Sequence, residues 1–195
     1  ASQLFNRYGI KSISMEELSR QLGISKKTLY QHFTDKNDLV EKTIFYTIEQ
    51  KGCFIKRIYE QNLNAVEEMF AVFKYVNEMI RNHNPSLDFD LQRFYPQIFR
   101  KVREFHRTNV YETTLSNLIK GKEEGFYRAD LNEDIIAKLH VMRIENLMHS
   151  DVVTHEELHS NQFFKELFKY HIYGIISPKG IQFIDTNYPE FYTNE

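Results

Sequence analysis

The sequence holds one cysteine, Cys53, with four prolines and seven glycines in 195 residues. A lone cysteine forms no internal disulfide, which fits a reducing, cytoplasmic setting. Gly and Pro together stand at about half their usual share, so long uninterrupted elements are expected. No apolar run approaches the roughly 18 residues that cross a bilayer, which excludes a transmembrane role. The stretch from Ala1 to Tyr8 has neither a long apolar segment nor a cleavage site, so no secretory signal is expected there. Neither sign of charge dominates: 25 Lys+Arg face 27 Asp+Glu, for a net charge of −2. That balance excludes binding a polyanion through bulk charge, and leaves room for a local basic site.

The apolar residues that are present recur at helical steps. Val66, Met69, Phe70, Phe73, Val76 and Ile80 form one such series, and Phe164, Leu167, Phe168, His171, Ile172 and Ile175 another. No segment alternates strictly enough for a strand, so the chain reads as all-α. Caps and breakers predict helices ending near Tyr8, over 15–22, 25–32, 36–59, 65–82, 88–93, 97–124, 133–149 and 161–176. Ser14 through Glu17 has capping-box spacing. Beyond Ser177-Pro178-Lys179-Gly180 the period fades, and a tail is expected.

The most informative constellation is Leu18, Leu22, Gly23, Ile24 and Leu29. Leu18 and Leu22 lie one turn apart. Gly23 takes positive φ without steric cost and lets two helices meet steeply. Ile24 and Leu29 are expected to pack back between those helices. The next helix is then left with Lys26, Lys27, Thr28, Tyr30, Gln31 and His32 outward. From Arg20 to Thr34 there are three basic residues and no acid. A short polar helix opening with lysines suits the major groove of DNA, with ammonium and hydroxyl groups on phosphates and the helix start near base edges. The same pattern also describes an ordinary helical hairpin with a solvated basic face.

The run from Phe5 to Leu39, above all Gly23-Ile24-Ser25-Lys26-Lys27-Thr28-Leu29-Tyr30-Gln31-His32-Phe33 with Lys36, resembles the N-terminal domain of TetR-type transcriptional regulators. Gly125-Phe126-Tyr127-Arg128-Ala129-Asp130-Leu131 is similar to the turn before the eighth helix in many members. The resemblance implies a three-helix helix-turn-helix module over 1–46 and a helical ligand-binding and dimerisation domain over 47–195. It further implies a homodimer on an inverted-repeat operator, acting most often as a repressor released by a small molecule, less often as an activator. Tyr30, His32 and Lys36 match phosphate-contacting positions, Ser14 opens the second helix where phosphate is often touched, and Ser25, Lys26, Lys27 and Thr28 sit where base or phosphate contacts are made. Lys27 departs from a frequent glycine. Members also carry further residues that complete the first helix, which is therefore expected to be truncated at Ala1.

Other features carry competing readings. His155-Glu156-Glu157-Leu158-His159 matches the H-E-x-x-H motif of zinc hydrolases, the alternative function for this chain. Its surroundings are polar, and Gln162 and Lys165 stand where the extended motif has Gly and a third His. No metal, cofactor or catalytic set is expected, and no Gly-rich phosphate loop is present. Phe70, Phe73, Phe94, Phe99, Phe105, His106 and Tyr111, with Asn77, are candidates to line a pocket for an apolar or aromatic effector; each also reads as a core residue at helical spacing. Cys53 is expected to be buried. The last two long helices show apolar residues on more than one side, including Ile135, Ile136, Leu139, Met142 and Leu147, which predicts a partner subunit.

Overall fold

The computed structural model describes residues 1–82, 84–147, 152–158 and 160–191. Within them the chain is helical: α1 (Ser2–Tyr8), α2 (Met15–Gln21), α3 (Lys26–His32), α4 (Lys36–Tyr59), α5 (Ala65–Arg81), α6 (Pro85–Phe94), α7 (Pro96–Glu123), α8 (Glu133–Leu147), α9 (His155–Leu158), α10 (Asn161–Ile175) and α11 (Pro178–Asn187), then a 3-10 turn at Pro189–Phe191. No strand occurs among the described residues; a single antiparallel bridge joins Tyr127 to Ile176. The all-α expectation holds.

The chain divides into two compact units, residues 1–54 with 82–105 and residues 55–81 with 106–195. In the first unit, Phe5, Ile10, Met15, Leu18, Leu29, Leu39, Val40, Leu91 and Ile98 share one core. Helices α1 to α3 are each seven residues long, too short to persist alone, so this shared burial is what holds them. In the second unit, Val66, Leu118, Tyr127, Phe168, Ile172, Ile175 and Ile184 form the core. Here α5 meets α7 through a buried polar network. Asn117 Nδ2 donates to the Ala65 carbonyl at 2.9 Å and to Glu68 at 3.0 Å, and Lys120 pairs with Glu68 at 2.5 Å. Every member has a partner, as a buried network requires.

Four expectations need correction. The segment after Ser177 is a helix, not a tail: Ser177 Oγ accepts from Gly180 N at 3.2 Å and Pro178 opens the first turn. Ser-Pro is a helix start there because proline lacks only an amide that the first turn leaves unbonded. Ile184 and Phe191 then enter the core, which holds the segment in place. Leu22 and Ile24 are exposed, because Leu18 and Leu29 already fill the space between α2 and α3 and the turn at Gly23 carries its neighbours outward. Cys53 is exposed, since it lies on the side of α4 away from the stripe formed by Leu39, Val40 and Ile44. The capping box is half formed: Ser14 Oγ accepts from Glu17 N at 3.0 Å, but the Glu17 carboxylate turns to Arg20 and Gln21.

Candidate nucleic-acid interface

Helix α3 begins where Ser25 Oγ accepts the Thr28 amide at 3.0 Å, and Thr28 Oγ1 closes on the same hydroxyl at 2.8 Å. This cap satisfies an otherwise unbonded donor at the first turn. Leu29 is buried and fixes the rotation of the helix, which leaves Lys26, Lys27, Tyr30, Gln31 and His32 exposed along one polar side. The steep entry depends on Gly23, whose φ is +66°. Thr28 is half-buried, its hydroxyl engaged by Ser25. Lys26 lies 3.6 Å from Glu16, with both side chains exposed; such a pair holds its members weakly. Ser14 occupies the corresponding cap of α2.

Lys36, the first residue of α4, is held differently. It is half-buried, and its Nζ donates to the Lys11 carbonyl at 3.3 Å. Burial lowers its pKa, and the nearby Asp90 carboxylate opposes that shift. Asp90 itself is buried on α6 and accepts the Lys11 amide at 2.8 Å. The Lys11 ammonium sits 4.2 Å from the centre of the Phe94 ring, a cation–π contact. Asn84, the cap of α6, donates to the Asn6 carbonyl at 2.6 Å. Thus α6 grips the end of α1 and the turn before α2. Asp90 was not a sequence candidate, because a carboxylate and an amide 79 residues apart leave no local signal.

The aromatic candidates are divided between the two units. Phe70 and Phe73 belong to the second unit, where Phe70 stacks on Tyr188 at 4.1 Å and Phe73 on Phe168 at 4.1 Å. Tyr111, also there, donates to Asp134 at 2.7 Å. Asn77 is half-buried on α5, and His106 is exposed on α7. Phe94, Phe99 and Phe105 belong to the first unit: Phe94 lies under Lys11, Phe99 packs against the core, and Phe105 meets Phe45 edge-on at 6.2 Å. Phe94 and Phe105 are exposed, so helical spacing settles neither which aromatics face inward nor which core the inward ones join. Of the H-E-x-x-H pair, His159 and the side chain of His155 lie outside the described residues.

Residues 1–43 match the family of bacterial regulatory proteins, tetR family. An HTH-type transcriptional regulator of Staphylococcus aureus strain USA300 is 31% identical over 109 residues, which cover 51% of this chain and 59% of that protein. The chain therefore spans less than two thirds of the curated relatives it matches. Among solved structures, a TetR-family transcriptional regulator from Streptomyces coelicolor superposes with a TM-score of 0.67 at 20% identity, over 90% of this chain and 91% of the other. The ketosteroid transcriptional regulator KstR2 of Mycobacterium tuberculosis gives 0.58 at 17% identity over 90% and 91%. A gamma-butyrolactone receptor gives 0.58 at 17% over 97% and 90%. These likenesses carry the fold, and over residues 1–43 the chain is similar to the tetR family of bacterial regulatory proteins.

Proposed function

We propose that the chain is a ligand-responsive, DNA-binding transcriptional regulator, a homodimeric repressor released from its operator by a small molecule. The observation that supports this best is α3. Ser25 caps it, Leu29 anchors it, and Lys26, Lys27, Tyr30 and His32 face outward on a helix short enough for the major groove. On this reading Lys27 and Lys36 neutralise phosphates, Tyr30 and His32 bond phosphate oxygens, and Thr28 stands nearest the bases. Residues 1–46 are the DNA-binding part, and 47–195 bind ligand and partner. Two neighbours are named for small apolar molecules, a ketosteroid regulator and a gamma-butyrolactone receptor, which supports an apolar effector here.

The test is a selection of bound duplexes from a random library, followed by titrations across salt. Lys27→Ala is expected to reduce the slope of log affinity against log salt by about 0.9 if that ammonium sits on a phosphate. A duplex pool with no enriched sequence, bound no better than bulk DNA, would overturn the reading.

The dimer is the second component. Ile135, Leu139 and Met142 on α8 and Tyr170 and Tyr173 on α10 are exposed, while Ile136 packs inward. A face that large and apolar is suited to a second copy. Solution mass at micromolar concentration should be twice 23.4 kDa, and the selected site should repeat, inverted, at about 34 Å or a multiple of it. A 23.4 kDa species that still holds operator tightly argues against the dimer.

A further inference from the structure

Helices α8 and α10 bring three basic side chains together in the second unit. Arg143 Nη2 lies 2.9 Å from His140 Nδ1, and the His140 and His171 rings are 4.4 Å apart between centroids. Arg143 Nε is buried and has no hydrogen-bond partner among the described residues. A charged donor left unsatisfied away from water is costly, so this nitrogen calls for an acceptor. Acids on the same two helices are engaged elsewhere. Glu145 accepts from Arg107 at 3.0 and 3.1 Å, Asp134 from Tyr111 and Lys138, and Glu166 from Lys169. Among the described residues, the charged and titratable groups acting on the three are one another and Tyr170, with no carboxylate.

We infer that Arg143, His140 and His171 receive a carboxylate, and that the effector is a carboxylic acid with an apolar body. The inference rests on the ligand-responsive reading above. A guanidinium presents parallel N–H groups that match a planar carboxylate, and Arg143 Nε is the donor left unpaired among the described residues. Since His140 Nδ1 faces an Arg143 N–H, that nitrogen is the acceptor, and the ring's proton is on Nε2, available as a donor. The apolar body has a neighbour on the same helix. Phe168 and Phe164 precede His171 by three and seven residues, the helical spacing of one face, and both stack on Phe73, at 4.1 and 5.6 Å. Seven residues of helix span about 10 Å, close to the length of an eight-carbon chain. Placing an anion beside both imidazoles also favours their protonated forms, so uptake of the acid draws in protons.

The experiment uses the full chain and two probes of equal length, octanoate and octan-1-ol, by titration calorimetry near pH 7 in two buffers of different ionisation enthalpy. Octanoate is expected to bind at least about tenfold more tightly than the alcohol, with proton uptake, and Arg143→Gln to remove at least about tenfold of that affinity. Thermal melting and ligand-free operator affinity of the variant should match the parent. Octanoate and octanol binding alike, Arg143→Gln binding octanoate like the parent, or inorganic phosphate competing as well as octanoate would each overturn the site. So would a variant that loses only its dimer, since the carboxylate would then come from a second copy. The two readings separate. Octanoate that binds through Arg143 without changing operator affinity leaves the site and removes the ligand response. Operator release by some other ligand, with no octanoate bound, does the reverse.

Discussion

Gly121→Ala is expected to lower the melting temperature by about 10 °C, from a loss of about 3 kcal/mol at 2–4 °C per kcal/mol in a chain of this size. Taken alone, alanine inside a helix is better than glycine by about 1 kcal/mol. Packing reverses the sign. A Cβ at position 121 would lie 2.1 Å and 2.2 Å from two carbons of the Tyr127 ring and 2.7 Å from a third. The ring has nowhere to retreat, because its hydroxyl proton is shared between the Ala65 carbonyl at 3.0 Å and Asn117 Oδ1 at 2.9 Å. Its backbone is held as well, since the Tyr127 amide donates to the Gly121 carbonyl at 2.9 Å. Either α7 bends away or Tyr127 leaves its hydrogen bonds, and both routes open the core. Gly52→Ala is the control. A Cβ there would meet nothing within 4 Å beyond its own helix and chain neighbours, so the propensity gain should stand alone and raise the melting temperature slightly. If Gly121→Ala melts within about 2 °C of the parent, α7 and Tyr127 are not packed this way.

The same contrast explains what could be read from the sequence. Ser14, Ser25, Gly23 and Leu29 carry local rules, a cap or a turn or a helical face, and the structure obeys each. Rules that look only at residue type failed where geometry decides. Cys53 and Ile24 belong to types usually buried, but a helix face turned outward and a turn already filled leave both exposed. Ser177-Pro178 reads equally as a breaker or as the start of a helix. Only the distant core that receives Ile184 and Phe191 resolves it. Asp90 with Lys11, and His140 with His171, are pairs made by tertiary structure between separate helices or turns. No window of sequence contains their meaning. The division of the aromatics between two units is of the same kind, because periodicity places a side chain on a helix face without naming its neighbours.

The histidine pair makes the ligand-free protein sensitive to mild acid, in a direction set by its pKa values. Burial first, and then Arg143, lower His140 from 6.5 to about 4. Burial, then His140 and Arg143, hold His171 well below its usual range. The folded chain therefore keeps these rings neutral where the unfolded chain binds protons. Stability is complete above pH 6.5, falls as pH drops from 6.5 towards 4, and stays reduced below that. For His140 the loss reaches about 2 kcal/mol at pH 5, less whatever water relieves at its partly exposed edge, and His171 adds in the same direction. Melting temperature should therefore fall by about 4–8 °C between pH 7.5 and pH 5. This window lies above the native titration of Glu133 and Asp134, whose pKa values are themselves lowered, first by hydrogen bonds from Lys122 and Lys138. His140→Gln removes one titrating ring and should flatten the curve by about half. A carboxylate seated on Arg143 should flatten it further, because it lets both rings accept a proton without unfolding. A melting temperature level from pH 7.5 to pH 5 would mean that neither ring is held neutral, and that water reaches the space between α8 and α10.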